Sequence, residues 1–189
     1  MVPLKGQPQF LTSVADAQNL PAHDYREVVF FGASNVGKSS LINSLCNQKS
    51  LAKTSKTPGR TQLLNFFTFP PDVIIVDAPG YGFAELPPAA RQHWQALLLG
   101  YLASRRANLK AYILLDSRRF IRENDLDLIW ILQRHEVEFA FVITKIDKLN
   151  KTEQTALQSQ IAAQFGGNCQ VFVTSAKSKQ GIEELRHNL

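Results

Sequence analysis

The stretch GASNVGKS, from Gly32 to Ser39, fits the pattern Gly-x-x-x-x-Gly-Lys-Ser without a gap. An apolar run, Val28-Val29-Phe30-Phe31, comes before it, and an apolar-periodic segment through Leu41, Ile42 and Leu45 comes after. Strand, loop and helix in that order are the setting in which the pattern cradles phosphates. Gly32 and Gly37 let the loop through Ala33, Ser34, Asn35 and Val36 turn so that several N–H groups point at one spot. The N-terminus of the helix behind them adds partial positive charge. Lys38 is placed to reach β- and γ-phosphates, and the Ser39 hydroxyl to bind Mg²⁺. The expectation is a nucleoside triphosphate site.

Bulk properties set bounds around that site. A chain of 189 residues with 44% hydrophobic content suits one domain with a sizeable core. Apolar runs reach only about five residues, well short of the roughly 18 that suggest a membrane span. The N-terminus has no basic stretch followed by an apolar one, so a secretory signal is not expected. Cys46 and Cys169 are too few for a disulfide framework and wrongly spaced for zinc, which fits a reducing cytoplasm. A net charge of +5 suits either an RNA partner or simply a positive soluble surface.

From Glu27 onward, short apolar runs alternate with helical patterns. Strands are expected over 28–31, 63–69, 73–76, 111–115, 139–143 and 170–173. Helices are expected over 38–46, 89–103, 124–134, 152–165 and from 181 to the end. This alternation predicts an α/β fold, a mostly parallel sheet covered on both faces. The tight Pro70-Pro71-Asp72 turn makes 63–69 and 73–76 an antiparallel hairpin. Residues 1–24, with Pro3, Pro8 and Pro21, read as a loosely structured N-terminal arm to a single domain over 25–189.

Three further signals select guanine. Asp77-Ala78-Pro79-Gly80 follows the strand 73–76, where Asp77 can hold Mg²⁺ through water and Gly80 can offer its N–H to a γ-phosphate. Thr144-Lys145-Ile146-Asp147 closes the strand 139–143. The Asp147 carboxylate can accept from guanine N1–H and the 2-amino group, whereas adenine would leave it desolvated and unpaired. The Lys145 stem can lie over the base while its ammonium reaches the phosphate loop. Thr174-Ser175-Ala176 follows the last strand and puts the Ala176 N–H near guanine O6. All four motifs fall at carboxyl ends of strands, where α/β sheets bind ligands.

SNVGKSSLIN (34–43), SKTPGRTQLLNFF (55–67), DAPGYGFAELP (77–87), TKIDKL (144–149) and TSAKSKQGIEEL (174–185) together resemble the EngB family of bacterial ribosome-biogenesis GTPases. The resemblance runs from about Phe10 to the end, in unpermuted motif order. It implies a three-layer P-loop GTPase fold of the Ras-like kind, with a six-stranded sheet, one antiparallel strand and about five helices. It implies GTP/GDP as ligand, with Mg²⁺ on Ser39 and on Thr61 of a first switch that includes Gly59, Arg60, Gln62 and Leu63. Asp77 to Gly80 would belong to the second switch, and Lys38, Thr61 and Gly80 would serve hydrolysis. The implied partner is the large ribosomal subunit, late in its assembly, with no membrane or DNA partner and a monomeric protein. Two features depart from the family: Ala33 stands where members commonly carry Arg, and the chain stops at Leu189, soon after its last helix begins. A shortened helix there is expected to weaken stability or a partner contact.

Where many GTPases place a water-orienting glutamine after the second-switch glycine, this chain has Tyr81, which predicts slow intrinsic turnover. Gln62 is a candidate substitute. Asn35 occupies a position that helps bind K⁺ in related GTPases; stabilising the loop is an equal alternative. Lys49, Lys53, Lys56 and Arg60 make a basic approach to the first switch, and Arg91, Arg105, Arg106, Lys110, Arg118, Arg119 and Arg122 add charge downstream. RNA contact and plain solvation compete at each of these. Asp116, Ser117 and Arg118 follow a strand, where shaping the second-switch region competes with a structural ion pair, the favoured reading. Trp94 and Trp130 read as packing residues, Cys46 as a buried small apolar one, and His93 and His135 lack metal-spaced companions. A small-molecule phosphotransferase would need a lid and a base that are not seen. A septin-type assembling protein would be longer, often with a coiled-coil tail.

Overall fold

The computed structural model describes residues 4–52, 63–80, 87–119, 121–166 and 169–189. Central strand β2 (Arg26–Gly32) pairs in parallel with β4 (Val73–Asp77) on one side and β5 (Leu109–Asp116) on the other. Outward from β5 lie β6 (Glu138–Thr144) and β7 (Val171–Val173), both parallel. Outward from β4 lie β3 (Leu64–Phe69), antiparallel, and then β1 (Gln9–Val14) at the edge. Seven strands run in the order β1-β3-β4-β2-β5-β6-β7, one more than the six expected. Only β3 runs against the rest, as the hairpin reading required.

Alternation along the strands makes two cores. Val29, Phe31, Ile74, Val76, Ala111, Ile113, Phe141 and Ile143 face α2 (Pro88–Arg105), α3 (Glu123–Arg134) and α4 (Lys151–Phe165) through Leu98, Leu102, Leu128, Leu132 and Ile161. Val28, Phe30, Ile75, Tyr112, Ala140 and Val142 face α1 (Lys38–Leu45) and α5 (Ile182–Arg186) through Leu41, Ile42, Leu45 and Leu185. Every residue of β4 is buried, as its apolar run Val73–Val76 requires of a strand covered on both faces, and the burial extends to the strand-end Asp77. Phe30 stacks on Tyr112 at 5.3 Å between ring centroids, knitting β2 to β5 on the second face. Short α5 packs against α1, and Tyr112 Oη donates to the carbonyl of Asn188 at 2.5 Å, so the last described turn is held to the sheet. Among the described residues no helix is long and apolar enough to cross a membrane.

The N-terminal arm departs from the loose expectation. Gln9–Val14 forms β1 because β3 offers an unpaired edge, with a bulge between Phe10 and Thr12. Asp16 then caps a 3-10 turn, Ala17–Asn19, through a side-chain bond from the Gln18 N–H. That turn packs on α2 at Gly100, where an added Cβ would lie 2.5 Å from the Ala17 Cβ.

Below the turn sits a buried charged cluster. Glu27 is only 1% exposed. Tyr101 Oη donates to its Oε2 at 2.6 Å. Arg105 Nε and His23 Nε2 each lie 3.1 Å from its Oε1 without aligned hydrogen bonds. Arg105 also donates to the Pro21 carbonyl. Burial first, and then the neighbouring Glu27 charge, hold the Tyr101 phenol well above its ordinary pKa, so it remains a donor. Tyr101→Phe removes the well-aligned side-chain donor that Glu27 has among the described residues and should cost about 1–3 kcal/mol. The denaturant midpoint should fall with an unchanged slope; an unmoved midpoint would mean that Arg105 and His23 alone satisfy the carboxylate.

Candidate nucleotide-binding site

The carboxyl ends of β2, β4, β5 and β6 meet at one rim of the sheet, beside the point where the connections from neighbouring β2 and β5 leave in opposite directions. The phosphate loop rises from β2 there. Gly32 is required by space, because a Cβ would sit 2.7 Å from Val36 Cγ1 and 3.0 Å from Leu114 Cβ. Gly37 and Asn35 both adopt left-handed backbone, φ 105° and 64°. Glycine does so freely and asparagine better than most residues. Val36 N–H bonds back to the Ala33 carbonyl at 3.1 Å, closing the loop, and α1 begins at Lys38.

Lys38 Nζ, at the head of α1, makes an ion pair with Asp77 at the end of β4. The sequence-predicted phosphate lysine and strand-end acid therefore meet. Gly80 lies against the same loop: a Cβ there would be 3.2 Å from both the N and Oγ of Ser34. Ser39 is half-buried on the first turn of α1. Gly59, Arg60, Thr61, Gln62 and Tyr81 lie outside the described residues, as do Lys53 and Lys56. Leu63 lies just before β3.

The base-reading motif is built on the end of β6. Thr144 Oγ1 sits 2.7 Å from the Val36 carbonyl and 3.2 Å from that of Leu115, so its single proton serves the phosphate loop at the shorter distance. Lys145 turns left-handed, φ 58°, and its Nζ donates to the Asn35 carbonyl at 2.7 Å and to Asp116 Oδ2 at 2.9 Å. Its stem crosses the loop, with Cε 3.7 Å from where a Cβ on Gly37 would stand. Ile146 is wholly buried and its N–H bonds the Thr174 carbonyl at 3.1 Å. Exposed Asp147 receives the Ser175 hydroxyl on Oδ1 at 2.6 Å, and that bond, ahead of other causes, holds its pKa below the ordinary carboxylate value. Ser175 is itself fixed by the Ser178 N–H at 3.1 Å. Ala176 follows directly, half-buried.

Several supporting residues went unnoticed in the sequence. Gln154 Nε2 bonds the carbonyls of Ile146 and Leu149, tying α4 to the base-reading loop. Asn150 and Glu153 form a reciprocal capping box at 2.7 and 3.0 Å; the N-x-x-E spacing before the apolar periodicity was the available signal. Asn43 clamps both the N–H and the carbonyl of Ala52, at 2.7 and 2.9 Å.

The Asp116 and Arg118 ion pair is present, with Arg118 Nε and Nη2 on the two carboxylate oxygens at 2.9 and 2.8 Å. Arg118 foremost, with help from Lys145, holds the Asp116 pKa far below the carboxylate range. Burial lifts the Cys46 thiol to about 12, as its apolar reading required. Arg105, Arg106 and Lys110 are engaged in ion pairs with Glu27, Glu136 and Glu138. Trp94 is buried, but Trp130 is 59% exposed on α3 with the Arg134 guanidinium over its ring, which corrects its reading as packing. The apolar stripe of α3 passes through Leu128, Ile129 and Leu132, leaving Trp130 on the outer face.

These contacts join the Gly32–Ser39 loop to the Thr144–Asp147 turn through one lysine. Comparison with known proteins gives the family. A family model described as "50S ribosome-binding GTPase" matches residues 27–145. The chain is 42% identical to a probable GTP-binding protein EngB of Rhodospirillum rubrum over 95% of its own length and 82% of that protein. It is 40% identical to the protein of the same name from Rickettsia prowazekii, over 95% of this chain and 85% of the relative. A crystal structure of a probable GTP-binding protein engB superposes with a TM-score of 0.66 at 24% identity, over 85% of this chain and 95% of that one. Era bound to a 16S ribosomal RNA fragment superposes with a TM-score of 0.71 at 21% identity, over 88% of this chain and 56% of Era, which shows the fold. With 42% identity to an EngB protein over most of its length, and a GTPase family model over residues 27–145, the chain belongs to the EngB family of GTP-binding GTPases.

Proposed function

We propose that this GTPase is a slow molecular switch, working in the cytoplasm as a monomer during assembly of the large ribosomal subunit. The observation that carries the guanine part is the double tether of the base-reading loop: Lys145 on the Asn35 carbonyl and Ser175 on Asp147. Asp147 reads N1–H and the 2-amino group of guanine, and the Ala176 N–H bonds O6. The loop from Gly32 to Gly37 wraps the phosphates with its N–H groups, and Lys38 moves from the Asp77 carboxylate to the β- and γ-oxygens. The residues present fit Mg²⁺, since a hydroxyl and a carboxylate are the hard oxygen donors that this ion takes. Ser39 and Thr61 would hold it, Asp77 would act through water, and the ion would neutralise charge on the transferring phosphoryl group. Gly80, packed on Ser34, would offer its N–H to the γ-phosphate.

The ribosomal destination is supported by the 50S ribosome-binding description of the matching family and by the +5 charge. Co-sedimentation with purified large subunits should show saturable binding that is stronger with a non-hydrolysable GTP analogue than with GDP. Equal or absent binding in every nucleotide state would remove the ribosomal reading.

Two chemical tests bear on the site. Asp147→Asn replaces an acceptor by a donor, so GTP affinity should fall by about a hundredfold or more and xanthosine triphosphate should bind better. Unchanged GTP affinity would mean that the base is read elsewhere. Asn35 is proposed to help hold a K⁺ ion beside the phosphates, so turnover should be faster in K⁺ than in Na⁺ at equal ionic strength. Equal rates would leave Asn35 with its loop-turning role only.

A further inference from the structure

Asp116 ends β5 at 8% exposure, in register with Thr144 of β6 and so beside the start of the base-reading loop. Its carboxylate carries two cations. Arg118 grips both oxygens, and its backbone N–H adds a bond to Oδ1 at 3.1 Å. Such a two-pronged pair on a short turn fixes the plane of the carboxylate. Oδ2 is thereby presented to the Lys145 ammonium at 2.9 Å, and the same ammonium holds the Asn35 carbonyl at 2.7 Å.

An ammonium on a four-carbon stem has many accessible rotamers, and a lone carbonyl oxygen is a weak anchor for it. A buried carboxylate, already held rigid, is a strong one. The neighbouring Ser117 hydroxyl donates to the Lys145 carbonyl at 3.0 Å, and the Ser117 N–H to the Thr144 carbonyl at 3.0 Å, so the β5 turn grips the backbone of the loop as well as its side chain. Arg119, Arg122 and the buried Asp125 line the adjoining cleft with Asn35 and Asp116. Of these, Asp125 accepts from the Arg122 backbone N–H at 2.8 Å.

We propose that Asp116 is a positioning residue for guanine-nucleotide binding: acting through Lys145, it locks the base-reading loop to the phosphate loop, so that base recognition and phosphate binding are won and lost together. The proposal rests on the guanine reading of Lys145 and Asp147. Asp116 touches no part of the nucleotide itself. It sets where Lys145 stands before the nucleotide arrives, and the nucleotide then finds both loops already in register.

The test measures release of a fluorescent GDP analogue from the full chain, as wild type, Asp116→Asn, Lys145→Met and the double variant, with thermal melting run in parallel. Asp116→Asn keeps the shape and removes the charge, so release should quicken by about tenfold or more. Lys145→Met should quicken it at least as much, and the double variant should match Lys145→Met alone, since with the ammonium gone Asp116 has nothing left to position. A merely structural Asp116 would instead lower the melting temperature and add its effect to that of Lys145→Met; additivity overturns the proposal. Wild-type release from Asp116→Asn, with Lys145→Met impaired, overturns the proposal and leaves the guanine reading standing. Wild-type release from Lys145→Met overturns both.

Discussion

Parallel pairing of β2 with β4 and β5 is the constraint on which the rest of the molecule hangs. Parallel strands end on the same side, so Gly32, Asp77, Asp116 and Thr144 arrive at one rim although they are far apart in sequence. Each strand is buried on both faces, so a slip of one residue would exchange two complete sets of core side chains and is excluded by packing. The stacked Phe30 and Tyr112 rings pin that register from one side. The site is thus fixed by apolar residues that never touch it.

At the rim the problem becomes electrostatic. Lys38, Lys145 and Arg118 are the cations paired with the strand-end acids of that rim. Asp77 and Asp116 divide them into pairs, each formed at a strand end. Arg118 and Lys145 share one carboxylate, while Lys38 keeps its own. On the proposed reading, an incoming nucleotide would take Lys38 from the Asp77 carboxylate. The neutral contacts do the aiming: Thr144 on Val36, Ser175 on Asp147, and Gln154 beneath the loop.

What was legible in the chain follows from whether the signal was local. The phosphate loop, the strand-end Asp77, the Thr144 to Asp147 motif and all five helices announce themselves by spacing or periodicity, and they lie where expected. Strand β1 does not, because QFLTSV pairs with β3 on only one side and most of its residues are exposed, so neither a buried run nor clean alternation marks it. Trp130 misled because tryptophan in a helical pattern is usually a packing residue; only the rotation of α3 about its Leu128 and Leu132 seam decides which way the ring faces. Asp116 was visible as a strand-end acid, but its bond to Lys145 joins two loops that only the sheet brings together. Gln154 reads as one more polar residue on an exposed helix until the turn above it is seen.

The buried Glu27 has a consequence for how the chain comes to be. It belongs to β2, the central strand, yet its aligned donor, Tyr101, lies 74 residues further on. β1, earlier still, has no partner until β3 has been made. During synthesis the first thirty residues or so therefore emerge with an edge that waits for β3 and a carboxylate whose aligned donor waits for α2. Closure of the amino-terminal strands is in this way tied to the middle of the chain.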